Sequence, residues 1–172
     1  MLQFESMHFL TGEELSHSEL IGLIKGAEHM RKIRGQKQPA PLKGKTMALM
    51  FDKPSLRTRV SFTVGVTELG GNVIELVGSQ TKSEEPEDSI RVLQGMVHGV
   101  MVRTFAHSHL ERMVSKATIP VINGLSDSHH PCQAVADLLT MYQRFGNLKG
   151  LKLAYIGDGN NVLHSLLLLA PF

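Results

Sequence analysis

Short apolar runs alternate with longer amphipathic ones along this chain. Thr11-Gly12-Glu13-Glu14 reads as a capping box, and Leu20, Ile21, Leu23, Ile24, Ala27 and Met30 follow at helical spacing. Gly35–Pro41 breaks that helix, and Thr46–Phe51 reads as a buried strand. Pro54 and Ser55 open a second helix carrying Val60, Val64 and a Phe62/Val66/Leu69 stripe, closed by Gly70-Gly71. The alternation continues through a strand at Val73–Val77, a polar loop at Gly78–Asp88 and a helix from Pro86 to about Val97. A strand at Gly99–Arg103, a helix at Leu110–Ala117 and a short strand at Pro120–Asn123 come next. Pro131–Phe145 is a helix with Val135, Leu138, Leu139 and Tyr142 inward. After the linker Gly146–Gly150, Leu153–Ile156 reads as one more strand and Asn161–Ala170 as one more helix.

Strands separated by helices predict an α/β fold in three layers, αβα, with a parallel sheet, helices on both faces and right-handed crossovers. Residues 1–147 read as one domain. Residues 148–172 read as the first βα unit of a second α/β domain, with Leu166–Leu169 lacking the surface they should pack against. Ligands of such sheets sit beyond the carboxyl ends of the strands, so chemistry is expected just after Phe51, Arg103 and Asn123.

Composition narrows the class. Among 172 residues, 42% are hydrophobic and 20% charged, which excludes a disordered chain. The net charge of +2 is too balanced for a dedicated nucleic-acid or membrane-surface binder. No apolar run approaches the roughly 20 residues of a membrane helix, and MLQFESMHFL carries no secretory pattern. The lone Cys132 allows no internal disulfide and suits a reducing, cytoplasmic setting.

Three segments carry the chemistry. Asp52-Lys-Pro-Ser-Leu-Arg-Thr-Arg59 joins a strand end to a helix N-terminus, where free N–H groups and the helix dipole attract an anion. Ser55 and Thr58 add hydroxyls and Arg57 a fork for phosphate. Taken alone, the segment fits a Ser-capped, solvated basic helix start equally well; its place at a strand end tips it towards function. Arg103, closing the apolar run VMV, needs a partner or an exit to water. In Asn123–Gln133, His130 and Gln133 flank a helix-starting proline, and their donors and acceptors suit a carbamoyl or amide group. Cys132 reads as core. Gly44-Lys45-Thr46 precedes its strand and lacks the earlier glycine of a phosphate loop, and Gly157-Asp-Gly159 lacks the third glycine of a dinucleotide fingerprint. The histidines at 107, 109, 129 and 130 have no companion set at metal-ligand spacing, so no metal site is assigned.

Together SLRTR, the RTF after the third strand, INGLSDSHHPCQAVADLLT and GDGNNVLHSL resemble the aspartate/ornithine carbamoyltransferase family, over nearly the whole chain and in family order. The resemblance, closest to the ornithine branch, implies transfer of the carbamoyl group of carbamoyl phosphate to the side-chain amine of L-ornithine. The products are citrulline and phosphate, a step of arginine biosynthesis, with no metal or organic cofactor. It implies that Ser55, the Leu56 backbone, Arg57 and Thr58 hold phosphate and that Arg103 bridges phosphate and carbonyl oxygen. His130 would meet the carbonyl oxygen, Gln133 the carbamoyl nitrogen, and Asn161 the amino-acid end of ornithine. Thr58, Arg103 and His130 are the implied catalytic set. Leu56 stands where many relatives have threonine, which suits a backbone-only role. Gln80 matches a loop that family trimers insert into a neighbour's site, with Lys82 or Ser83 at its basic position, so the whole enzyme is expected to be a homotrimer or a multiple of trimers. Other acceptors (acylated ornithine, putrescine, aspartate) and a non-catalytic phosphate-ligand module stay open. The chain reads as about half an enzyme, binding carbamoyl phosphate weakly and turning over ornithine negligibly on its own.

Overall fold

A computed structural model describes residues 8–36, 39–78 and 84–170. Four parallel strands form one sheet: β1 (Thr46–Phe51), β2 (Asn72–Val77), β3 (Gly99–Arg103) and β4 (Val121–Leu125), in the order β2-β1-β3-β4. The helices are α1 (His17–Lys32), α2 (Leu56–Glu68), α3 (Pro86–Leu93), α4 (His107–Val114), α5 (Pro131–Phe145) and α6 (Asn161–Leu169). Alternation along β1 sorts the core into layers. Ala48 and Met50 pack with Ile90 of α3 and with Leu110 and Met113 of α4. Leu49 and Phe51 pack with Met101 and with Phe62 of α2. The expected three-layer α/β architecture is therefore present. A third cluster joins α1, α5 and α6 through Leu20, Ile24, Ala134, Leu138, Leu166 and Leu169.

The strand order places β2 on one side of β1 and β3 on the other, so the chain reverses its winding direction between β1 and β3. The loops leaving the carboxyl ends of those strands diverge there and open a crevice. Register puts Phe51 opposite Arg103. A bulge at Val102/Arg103 then pairs Arg103 with Leu125 and skips Gly124. Bulges re-aim side chains at the rims of sheets. Gly124 suits its place: a Cβ there would overlap the Met101 sulfur.

Several boundaries differ from the sequence reading. The cap of α1 is Ser16, not Thr11. Ser16 accepts from the Glu19 N–H while the Glu19 carboxylate accepts from the Ser16 N–H, a complete capping box. Glu14 instead folds back on its own turn, accepting from the N–H groups of Leu10, Thr11 and Gly12. Ser16→Ala is expected to cost ~1 kcal/mol of stability in urea unfolding; a loss below about 0.3 kcal/mol would remove the cap from the account. Helix α3 stops at Leu93 rather than near Val97, and α4 starts earlier, at His107, where Asp127 accepts from the His107 N–H. On α2 only Val66 is buried, while Val60 is 50% exposed.

Leu153–Ile156 forms no strand, and residues 151–160 are exposed. A strand needs a paired neighbour, and none is formed for this segment among the described residues. The helix after it does find a surface, against expectation. Leu166 and Leu169 are buried against α1 and α5, and Leu167 alone of the leucine run stays largely exposed. Gln80 and Lys82 lie outside the described residues. No helix among the described residues is long and apolar enough to cross a membrane.

Candidate active site

The crevice between β1 and β3 holds a cavity of about 540 Å³. Its walls are Ser55, Leu56, Arg57, Thr58, Arg103, His130 and Gln133, with Phe62, Gly124 and Cys132 among the residues behind them. Seven of the eight residues expected to hold a carbamoyl phosphate thus share one cavity, although they come from three separate stretches of chain, and the eighth, Gln80, lies outside the described residues. A larger cavity of about 1040 Å³ opens at the opposite, N-terminal ends of the strands, between Leu42, Met47, Val66 and Ile122. It is mainly apolar and gathers no converging cations, so volume alone does not select the site.

One wall is the start of α2. Ser55 caps it, its Oγ accepting from the Thr58 N–H at 3.3 Å. A helix start leaves the N–H groups of Leu56 and Arg57 without intrahelical acceptors, and these face an anion well. Leu56 itself is 77% exposed. Arg57 is exposed and free to fold over a bound anion.

Arg103 enters from the bulged end of β3. Its Nη1 donates to Thr58 Oγ1 at 3.2 Å, while its buried Nε has no acceptor. Burial pulls its guanidinium below the ordinary arginine range. A desolvated cation with an unused donor costs free energy unless a ligand completes it.

His130 is the N-cap of α5, followed by Pro131 at the first helical position. Its Nδ1 is buried and unpartnered. Burial first, then the positive charges of Arg103 and Lys53, push the imidazole down to about 4. At neutral pH the ring is therefore uncharged and offers one N–H donor and one acceptor. Gln133, one turn on, is exposed and donates to Asp137 Oδ1 at 2.9 Å. Cys132 is half-buried; its Sγ donates to Asn123 O, and burial pushes the thiol up to about 12. That is a packed thiol and not a nucleophile.

Asn161 does not line this cavity. Its Nδ2 donates to Ser126 O at 2.7 Å, tying the start of α6 to the loop that precedes His130. Two contributors escaped the sequence reading. Lys53 stands at the end of β1 with its ammonium 4.8 Å from the Phe105 ring centre, and burial followed by Arg103 lowers its pKa. Its position just before PSLRTR is the signal that could have found it. Ser165, buried in α6, carried no such signal, because its contact with the His130 backbone spans 35 residues of sequence. Among the described residues no cluster of three or more His, Cys, Asp or Glu side chains is arranged to hold a metal ion.

Residues 7–143 match the family model described as aspartate/ornithine carbamoyltransferase, carbamoyl-P binding domain. An ornithine carbamoyltransferase of Bacillus thuringiensis is 50% identical over 162 residues, which cover 92% of this chain and 50% of that protein. The crystal structure of ornithine carbamoyltransferase from Gloeobacter violaceus superposes with a TM-score of 0.87 at 46% identity, covering 98% of this chain and 55% of that one. Aspartate transcarbamoylase from Trypanosoma cruzi, in complex with N-(phosphonacetyl)-L-aspartic acid, gives a TM-score of 0.87 at 29% identity, covering 97% and 54%. The chain spans about half the length of the curated relatives it matches. With the fold, the match over residues 7–143 and these identities taken together, the chain belongs to the aspartate/ornithine carbamoyltransferase family and carries its carbamoyl-phosphate-binding domain.

Proposed function

We propose that this chain supplies the carbamoyl phosphate site of an ornithine carbamoyltransferase, the enzyme that forms citrulline and phosphate in arginine biosynthesis. The observation that carries the reading is the single cavity in which a helix N-terminus, two arginines and a neutral histidine converge. The phosphate sits on the start of α2, against Ser55, the N–H groups of Leu56 and Arg57, Thr58 and the Arg57 fork. The carbamoyl oxygen lies between Thr58, Arg103 and His130, and Gln133 takes the carbamoyl nitrogen. The neutral amine of the acceptor attacks the carbamoyl carbon. A C–N bond forms, negative charge gathers on the carbonyl oxygen, and phosphate leaves with the electrons of the broken C–O bond and takes up the proton that the attacking amine gives up. Arg103 and the uncharged His130 N–H stabilise that oxygen, as an oxyanion hole does. No protein nucleophile is needed, which agrees with the packed Cys132 thiol.

Ornithine is the proposed acceptor, because relatives at 50% and 46% identity are ornithine carbamoyltransferases and Asn161 presents no cation for a second carboxylate. Residues 1–147 form the carbamoyl phosphate domain in this reading, and residues 148–172 begin the ornithine domain. The whole enzyme is a cytoplasmic trimer in which Gln80 reaches a neighbour's site, and these 172 residues alone turn over negligibly.

Titration of the chain with phosphonoacetamide, a stable analogue of carbamoyl phosphate, is expected to give one site, and Arg57→Ala to weaken it about tenfold, the worth of one exposed charged hydrogen bond. Absence of binding by folded chain would overturn the reading. Citrulline formation on adding the complementary half of the Bacillus thuringiensis relative tests the acceptor.

A further inference from the structure

Helix α6 carries Asn161, His164 and Ser165 on one face, at spacings of three and four residues. That face lies against the loop between β4 and α5. Asn161 Nδ2 donates to Ser126 O at 2.7 Å, and His164 Nδ1 donates to Ser128 O at 2.8 Å. The His130 N–H donates to both Ser165 Oγ at 3.1 Å and Asn161 O at 3.2 Å. Each of the three residues therefore holds a backbone group of the segment that ends in His130.

Ser165 is fully buried beside Leu166 and Leu169, and a buried hydroxyl without a partner destabilises. Its Oγ lies 3.5 Å from His129 Nδ1 and accepts from the His130 N–H, which lies outside the α5 ladder because His130 is the cap residue and Pro131 follows. Without Ser165 and Asn161 the peptide plane ahead of His130 would have no fixed acceptor. That plane sets the Cα–Cβ direction of His130, and hence where its ring enters the cavity. The ring's own Nδ1 has no hydrogen-bond partner among the described residues.

We infer that Ser165 is a positioning residue, which aims the His130 imidazole into the carbamoyl phosphate cavity by holding its backbone N–H across the seam between α5 and α6. The functional part of this inference rests on the proposal that His130 meets the carbamoyl oxygen; the clamp itself does not. Ser165 lines no part of the cavity and is not a catalytic residue.

The test uses the whole chain as wild type, Ser165→Ala, Ser165→Thr and Ser165→Cys, with NMR titration of the His130 ring and hydrogen exchange of its amide. In Ser165→Ala the ring midpoint should rise by at least about one pH unit towards that of a free imidazole. The His130 amide should exchange at least about tenfold faster while the Leu138 amide is unchanged. Ser165→Thr, which keeps the hydroxyl, should restore both. A folded Ser165→Ala protein with unmoved midpoint and exchange overturns the inference. Should Ser165→Ala fail to fold, Ser165→Cys decides: its thiol keeps the volume but is a weak acceptor, and wild-type values there overturn the clamp. A second arm compares phosphonoacetamide with inorganic phosphate. Ser165→Ala should weaken the former about tenfold and the latter less than twofold, and equal losses overturn the aiming role. If wild type binds neither ligand, the proposed function fails, while the His130 titration still decides the clamp.

Discussion

Arg103→Met is expected to weaken phosphonoacetamide binding by at least about 100-fold while leaving the folded chain as stable as the wild type or more so. The guanidinium enters the cavity partly desolvated, with Nη1 on Thr58 Oγ1 and a buried Nε that has no acceptor. A ligand that spans phosphate and carbonyl oxygen would take two charge-assisted hydrogen bonds from it, each worth roughly 1.5–3 kcal/mol. Losing both costs more than two decades of affinity. Methionine fills similar space without the desolvation cost of the charge, and such replacements of buried charges are often neutral or stabilising. Arg103→Lys should fall between, since a point charge cannot serve two acceptors in one plane. NMR titration gives the affinity and urea unfolding the stability. Binding by Arg103→Met within about fivefold of the wild type would remove Arg103 from the ligand site, and a loss of stability would show that the arginine is structural.

The fold was readable where local pattern and tertiary packing agree. Thr46–Phe51 alternates faces in one strand, Pro131 fixes the start of α5 and Gly146 its end, at a positive φ of 81°. It was misread where a local signal had two solutions. Thr11–Glu14 and Ser16–Glu19 both offer a hydroxyl three residues before a carboxylate, and only packing of Leu20 and Ile24 decides which one opens the helix. Leu153–Ile156 has the composition of a strand but no pairing neighbour among the described residues, so it forms none. The cavity itself was legible because a parallel sheet brings strand ends together: Ser55 and His130 each follow a strand and Arg103 ends one. The support behind it was not. The Ser165 contact with His130 joins residues far apart in sequence, and the bulge at Val102/Arg103 exists only in the pairing with β4.

The stability of the chain should fall on mild acidification, and His130 should account for a measurable part of the fall. Burial, reinforced by Arg103 and Lys53, holds the folded imidazole at about 4 against an ordinary value of 6.5. Between those values the unfolded chain binds a proton that the folded chain refuses. The contribution is complete above pH 6.5 and is lost progressively as pH falls from 6.5 towards 4. The gap corresponds to at most about 3 kcal/mol, and screening at this partly exposed ring reduces it to about 1–2 kcal/mol. His8 and His129 are lowered by burial too and add to the total slope, so the quantity to measure is the difference between wild type and His130→Asn. Urea unfolding at pH 7.5 and pH 5 should show the wild type losing about 1 kcal/mol more than the variant. Parallel slopes would mean that the ring titrates normally and lies in water. The same burial predicts the pH course of binding. A His130 that stays neutral down to about 4 keeps donating its N–H throughout pH 5–8, so phosphonoacetamide affinity should show no limb near 6.5 that His130→Asn abolishes. Such a limb would make the bound form an imidazolium, and the carbamoyl oxygen would then face a second cation beside Arg103 instead of a neutral donor.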